Sequence, residues 1–225
     1  LNRVAKEIYK SHPQHMVSGG VYSAYRLPPQ NIERMSPNLA LIECRARSGF
    51  YNEETQAQSR QLRQAWLEKL PSKEWYTRDY YLHARSGGPW EGIPVYFPHL
   101  IAEDLRELAG VAHGERIGIY HHQGNRDFGY NEFAIQHLNL YVTTRLYWDV
   151  NRDVDAMLEE YYTRFYGPVR EQMKAFITYC ENNWMRMKQD AARIDRALGL
   201  FRTVQKAVDP DSVYGKRVQL VADYI

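Results

Sequence analysis

Only two cysteines, Cys44 and Cys180, occur in the 225 residues. They are too few for a disulfide framework, and their spacing fits no metal motif. Long hydrophobic runs are missing as well. None approaches the roughly 20 apolar residues that span a bilayer, so no membrane segment is expected. The opening "LNRVAKEIYK" is amphipathic without a signal-peptide core. It begins without Met and already inside a helical pattern, which leads us to expect a fragment of a longer protein. Charge of one sign is not concentrated anywhere: 29 Lys plus Arg are scattered among 27 Asp plus Glu, for a net charge of +2. No nucleic-acid footprint results. G-x-S-x-G, P-loop, dinucleotide G-x-G-x-x-G and H-E-x-x-H motifs are absent, which removes the commonest hydrolase, nucleotide and zinc-protease readings. The chain contains no internal repeat or low-complexity stretch.

Aromatics, by contrast, are plentiful, with 18 tyrosines and five tryptophans in a chain that is 44% apolar and 25% charged. That balance is ordinary for a globular protein. Rings with one polar tip suit wet, concave sites that hold a partly apolar, hydroxyl-rich ligand such as a sugar. Aromatic packing between helices and a sheet is the plainer alternative.

Hydrophobic periodicity orders the chain. An initial helical stretch is followed by a strand in "MVSGGVYSAY", a Pro-broken loop, and "LALIECR", a continuous apolar run typical of a strand buried on both faces. A helix is predicted from Thr55, its cap, to Leu70. "EWYTRDYYL" reads as a third strand, "PHLIAEDLRELAGVAHG" as a helix, "ERIGIYHH" as a fourth strand and residues 131–147 as a helix. This alternation favours parallel strands joined by crossovers. Four strands cannot close a barrel, so two architectures remain: a small open α/β sheet, or half of a (β/α)8 barrel. Residues 1–147 form the α/β part. Residues 148–225 read as a helical extension, with Asp153 as a cap, Gly167 and Pro168 as a stop, and further helices over 169–206 and 211–225.

Ligands of parallel α/β folds bind at the carboxyl ends of strands. The polar residues there are Tyr22, Ser23 and Tyr25; Glu43 and Arg45; Asp79, Tyr81 and His83; and His121, His122 and Gln123. Alternation puts Asp79, Tyr81 and His83 on one face above Trp75 and Thr77. Asp79 is the candidate catalytic carboxylate. Its structural alternative is a buried acid neutralised by Arg78 or Arg85. Glu43, beside Arg45 and Arg47, has the look of an ion pair. His121 and His122 are strand neighbours pointing opposite ways, so they cannot chelate one ion together.

The strings "VYSAYRLPP", "NLALIEC", "WYTRDYY", "FPHLIAEDLRELAG", "IYHHQGN" and "RLYWDVNRDVDAMLEEYYTRFYGP" resemble, in order, a bacterial family of unknown function in the glycoside hydrolase TIM-barrel clan. That family is similar in turn to the α-glucuronidases. The resemblance covers about residues 1–180. It implies the carboxyl-terminal half of a TIM barrel, strands five to eight, followed by helices, with strands one to four upstream of Leu1. It also implies a secreted or periplasmic parent, and a chemical role for Asp79 beside an acid from the missing strand four. One departure is that His122 stands where the family has Glu before Gln-Gly.

The leading expectation is therefore a glycoside hydrolase-like, carbohydrate-active protein that acts on a glycan or uronic-acid-containing sugar. Asp79 would serve the chemistry. Tyr22, Tyr25, Glu43, Tyr81, His83, Trp90, His121, His122 and Gln123 would bind substrate. A non-catalytic carbohydrate-binding barrel module is the second expectation, and a metal-dependent hydrolase using His83, His121 or His122 with Asp79 the third. No cofactor or resident metal is expected. The expected partners are a carbohydrate and either the missing barrel half or a second copy, because a half barrel exposes a sticky edge and face.

Overall fold

Four short runs of apolar, β-branched and aromatic residues pair side by side in the computed structural model, which describes residues 1–81, 92–119 and 132–225. They are β1 (Val17–Val21), β2 (Leu39–Arg45), β3 (Trp75–Tyr81) and β4 (Gly114–Ile119). All pairings are parallel and the spatial order is β1-β2-β3-β4. The mixed α/β class and the parallel sheet expected from the alternating pattern are both present.

Contacts divide the described residues into two compact units. The first holds residues 1–81 and 107–119, and the second residues 92–106 and 132–225. The helix that ends at Trp148 groups with the helices that follow it.

In the first unit, helix α1 (Asn2–Ser11) precedes the sheet and helix α2 (Glu53–Lys69) follows β2. Leu39, Leu41 and Trp75 from the sheet pack with Ala5 of α1 and with Trp66 and Leu70, at the end of α2, in one apolar core. Registered partners in a parallel sheet lie on the same side, and Leu41 pairs with Trp75. Both helices therefore cover one face. Leu1, just before α1, lies so close to Gly19 that a Cβ there would come within 2.0 Å of its side chain. The opposite row, Ile42, Cys44, Tyr76, Arg78 and Tyr80, is only half buried.

The start of α2 differs from expectation. Asn52, rather than Thr55, is the cap: its Oδ1 accepts the Thr55 backbone N–H at 3.0 Å. Glu53 and Glu54 occupy the first turn, where acids favour the helix dipole. Asn52→Ala should cost about 1 kcal/mol, a loss of about 2–4 °C in Tm for a chain of this size. A calorimetric scan checks it, and an unchanged Tm would show that another group replaces the cap.

The second unit is helical. It contains most of α3 (Pro98–Leu108), then α4 (Glu132–Trp148), α5 (Val154–Tyr161), α6 (Arg170–Met187), α7 (Ala191–Ala207) and α8 (Val213–Ala222). Asp153 caps α5 as expected, accepting the Ala156 N–H at 3.2 Å. The stretch 169–206 is broken into two helices because Asp190 starts a new one by accepting the Ala192 N–H. Between α5 and α6 lies one turn of π-helix, Tyr162–Tyr166, and then Gly167 at φ +51°. A Cβ at Gly167 would sit 2.5 Å from the Tyr214 ring, so glycine is required there twice over.

Buried Asn139 of α4 holds the segment before α3, accepting the Phe97 N–H at 3.1 Å and donating to the Val95 carbonyl at 3.2 Å. Bonds of this kind join α4 to this unit. Tyr96, Tyr161, Tyr162 and Tyr166 are all buried here. Much of the aromatic richness of the sequence is therefore packing. Among the described residues, no helix is long and apolar enough to cross a membrane.

Candidate functional site

The carboxyl edge of the sheet in the first unit presents two chemically different faces. On the helix-bearing face, register sets Glu43 beside Thr77 and Arg45 beside Asp79. Asp79 is 1% exposed. Its Oδ2 lies 3.5 Å from Arg45 Nε and 3.7 Å from Arg47 Nε, and its Oδ1 accepts the Arg47 backbone N–H at 3.1 Å. Arg47 begins the short 3-10 turn Arg47–Tyr51 that leads into α2. The carboxylate thus ties the β2–α2 connection to the end of β3.

This answers the pairing question against expectation. Arg78, proposed as the neutralising partner, is the strand neighbour of Asp79 and so points to the other face. The partners are Arg45 and Arg47. Arg85, the other proposed partner, lies outside the described residues.

Glu43 is also redirected. It was expected to pair with Arg45 and Arg47, but those guanidiniums go to Asp79. Glu43 Oε1 instead accepts the Ser59 hydroxyl at 2.8 Å, and Oε2 accepts Trp75 Nε1–H at 3.3 Å and lies 3.7 Å from Arg63 Nη1. Arg63 also donates to Glu107, which Arg60 holds at 2.6 Å. This chain of charges fastens α2 to the sheet. With these three partners the buried carboxylate is satisfied where it stands.

The other face has a different chemistry. The Arg78 guanidinium lies over the Tyr80 ring, 5.2 Å from its centre, and its buried Nε has no hydrogen-bond partner among the described residues. Tyr22, at the end of β1, brings its ring to 6.5 Å from that of Tyr80. Burial, with a hydrogen bond to the Cys44 thiol, raises the pKa of the Tyr80 hydroxyl. That phenol remains a donor at neutral pH. At the amino end of the same row, Tyr76 donates to Glu74 at 2.9 Å. Two tyrosines and a cation at the carboxyl edge can stack on a sugar ring and hydrogen-bond its hydroxyls.

The other expected site residues distribute as follows. Tyr25 lies in the short turn after β1 and is 77% exposed. Tyr81 ends β3, paired with Ile119. His83, Trp90, His121, His122 and Gln123 lie outside the described residues. The metal reading falls mainly on those histidines. Among the described residues, no three His, Cys, Asp or Glu side chains gather as a metal site would need. Of the residues around this edge, Arg47, Arg78 and Tyr80 were not among the strand-end candidates. Counting the alternate row of β3 would have found the last two.

No curated protein and no solved structure matches the chain. A family model described as Domain of unknown function (DUF4838) matches residues 1–176. That span includes the whole sheet, its helices and the site at its carboxyl edge, and on it the chain belongs to the DUF4838 family.

Proposed function

We propose that this chain is the carboxyl-terminal half of a glycan-handling (β/α)8 barrel of glycoside hydrolase type, similar in plan to the α-glucuronidases, and that its described part holds the sugar. The acid-base pair would lie elsewhere. The observation that carries the reading is the one-sided sheet. Its strands run in chain order, without the reversal that makes the ligand crevice of a doubly wound sheet, and both helices of the unit lie on a single face. Such a sheet curls into a barrel with its bare face inward, and four more strands complete it, from the parent protein or from a second copy.

The inward face then carries Tyr22, Arg78 and Tyr80 at the carboxyl edge, where barrel enzymes bind their ligands. Asp79 sits on the helix side, committed to Arg45 and Arg47. In this reading it shapes the loop above the site, while proton transfer belongs to carboxylates from the other strands.

A panel of neutral and uronic-acid-containing oligosaccharides, titrated calorimetrically into the wild type and Tyr80→Ala, tests the proposal. Removing the ring should weaken binding by about 1 to 3 kcal/mol, the usual effect of losing a buried aromatic anchor. Absence of binding across the panel, or equal affinity for both proteins, would refute it.

A further inference from the structure

The helical unit contains a cleft of about 660 Å³ between α4, the π-turn and α8, within the size range of small-molecule sites. It is independent of the sheet and of the glycan reading. Its walls are Tyr141, Tyr161 and Phe165, the last two stacked 9° from parallel with centres 5.1 Å apart. These rings pack on one another and make the lining of the cleft largely aromatic, which suits an apolar ligand body.

The charge in the cleft is unbalanced. Among the described residues, Arg145, Arg164 and Arg217 line it together with a single carboxylate, Glu160. Glu160 is shared, lying 3.1 Å from Arg145 Nη2 and 3.3 Å from Arg164 Nε. Arg217 is fixed by other means: Nη1 donates to the carbonyls of Arg164 and Phe165, at 3.1 and 2.9 Å, and the guanidinium lies 4.6 Å from the centre of the Phe165 ring. Arg145 Nε is buried and has no hydrogen-bond partner among the described residues. A buried donor left unpaired is costly. Those carbonyls lie at the end of the π-turn, just before Gly167 and Pro168, where a helix leaves its last carbonyls without intrahelical donors.

From this geometry we infer that the cleft is a binding site for a small aromatic carboxylate, its apolar body along the aromatic lining and its anionic group on the arginines. Guanidinium is the natural partner of a carboxylate, through paired N–H donors. His137, 2.6 Å from the Tyr161 hydroxyl through Nδ1, lines the same wall and offers the ligand a neutral polar contact.

The probe pair is 2-naphthoate and 2-naphthamide, equal in ring and differing in charge, titrated into the 225-residue chain. The carboxylate should bind at least about tenfold more tightly than the amide, the difference a charge-assisted hydrogen bond makes. Arg145→Gln should erase most of that preference. Arg164→Gln, at an exposed position that tolerates substitution, provides a second variant should the first fail to fold. Equal binding of the two probes, no binding of either at about millimolar concentration, or a preference that survives in a folded variant would each overturn the assignment.

Discussion

Asp79→Asn lowers the unfolding free energy, by up to about 3–5 kcal/mol, because it removes the carboxylate charge from a buried charge cluster. Arg45 is 4% and Arg47 0% exposed at the side chain, so neither guanidinium can turn to water when the carboxylate is lost. The amide of Asn can still accept the Arg47 backbone N–H, but it carries no charge. Chemical denaturation at neutral pH measures the effect. The sign carries as much information as the size. A carboxylate held in place for catalysis is often strained, and its removal tends to leave stability unchanged or raise it. A stable Asp79→Asn would return the residue to the chemistry. The companion variant replaces all three groups with apolar residues, Asp79→Leu with Arg45→Met and Arg47→Met. It should recover most of the loss, since a well-packed apolar substitute for a buried ion cluster is often neutral or better.

Acidification from pH 6.5 to 4 should remove up to about 3 kcal/mol from the stability of the helical unit through His137 alone. Burial, helped by the nearby Arg217 cation, pushes its pKa down from 6.5 to about 4. The unfolded imidazole takes its proton near pH 6.5, while the folded one resists until about pH 4. Between those values the unfolded state binds more protons, so stability rises with pH there. The contribution is fully present above pH 6.5 and lost as the pH falls through 4. His137→Phe keeps a ring against Phe165, 4.6 Å away in the wild type, and removes the titration. Urea unfolding at pH 7 and 4.5 should therefore differ by about 2–3 kcal/mol less in the variant than in the wild type. Identical pH dependence in the two proteins would show that His137 is protonated without penalty.

The sequence made the strands legible because each is a short apolar or aromatic run between turn signals, and "LALIECR" became β2 at Leu39–Arg45. Their parallel pairing followed from the intervening helices. Alternation along β3 likewise put Trp75, Thr77 and Asp79 in one row, but it could not say which row the helices would cover. That depends on the packing of Trp66 and Leu70 from α2, a long-range contact with no local signature. The same limit hid the partners of Asp79. Arg45 and Arg47 are more than 30 positions away in the chain and reach it only through the β2–β3 register. Sequence proximity pointed to Arg78 instead. Caps had to be chosen among competing residues: Asp153, with Asn151 and Asp155 nearby, took the role expected of it, whereas of Asn52 and Thr55 the earlier residue became the cap. At the carboxyl edge the sequence brought out Tyr22 and Asp79 together, whereas Tyr22 meets Tyr80 on one face and Asp79 meets Arg45 and Arg47 on the other.

Binding isotherms of Tyr80→Ala and Asp79→Asn with the same oligosaccharide, at a temperature where both proteins are folded, decide which face of the sheet holds the sugar. Affinity should fall about 5- to 150-fold in Tyr80→Ala, the equivalent of about 1 to 3 kcal/mol, and stay near the wild-type value in Asp79→Asn. Affinity that follows Asp79 and ignores Tyr80 would contradict it, and would place the sugar on the face that the helices cover.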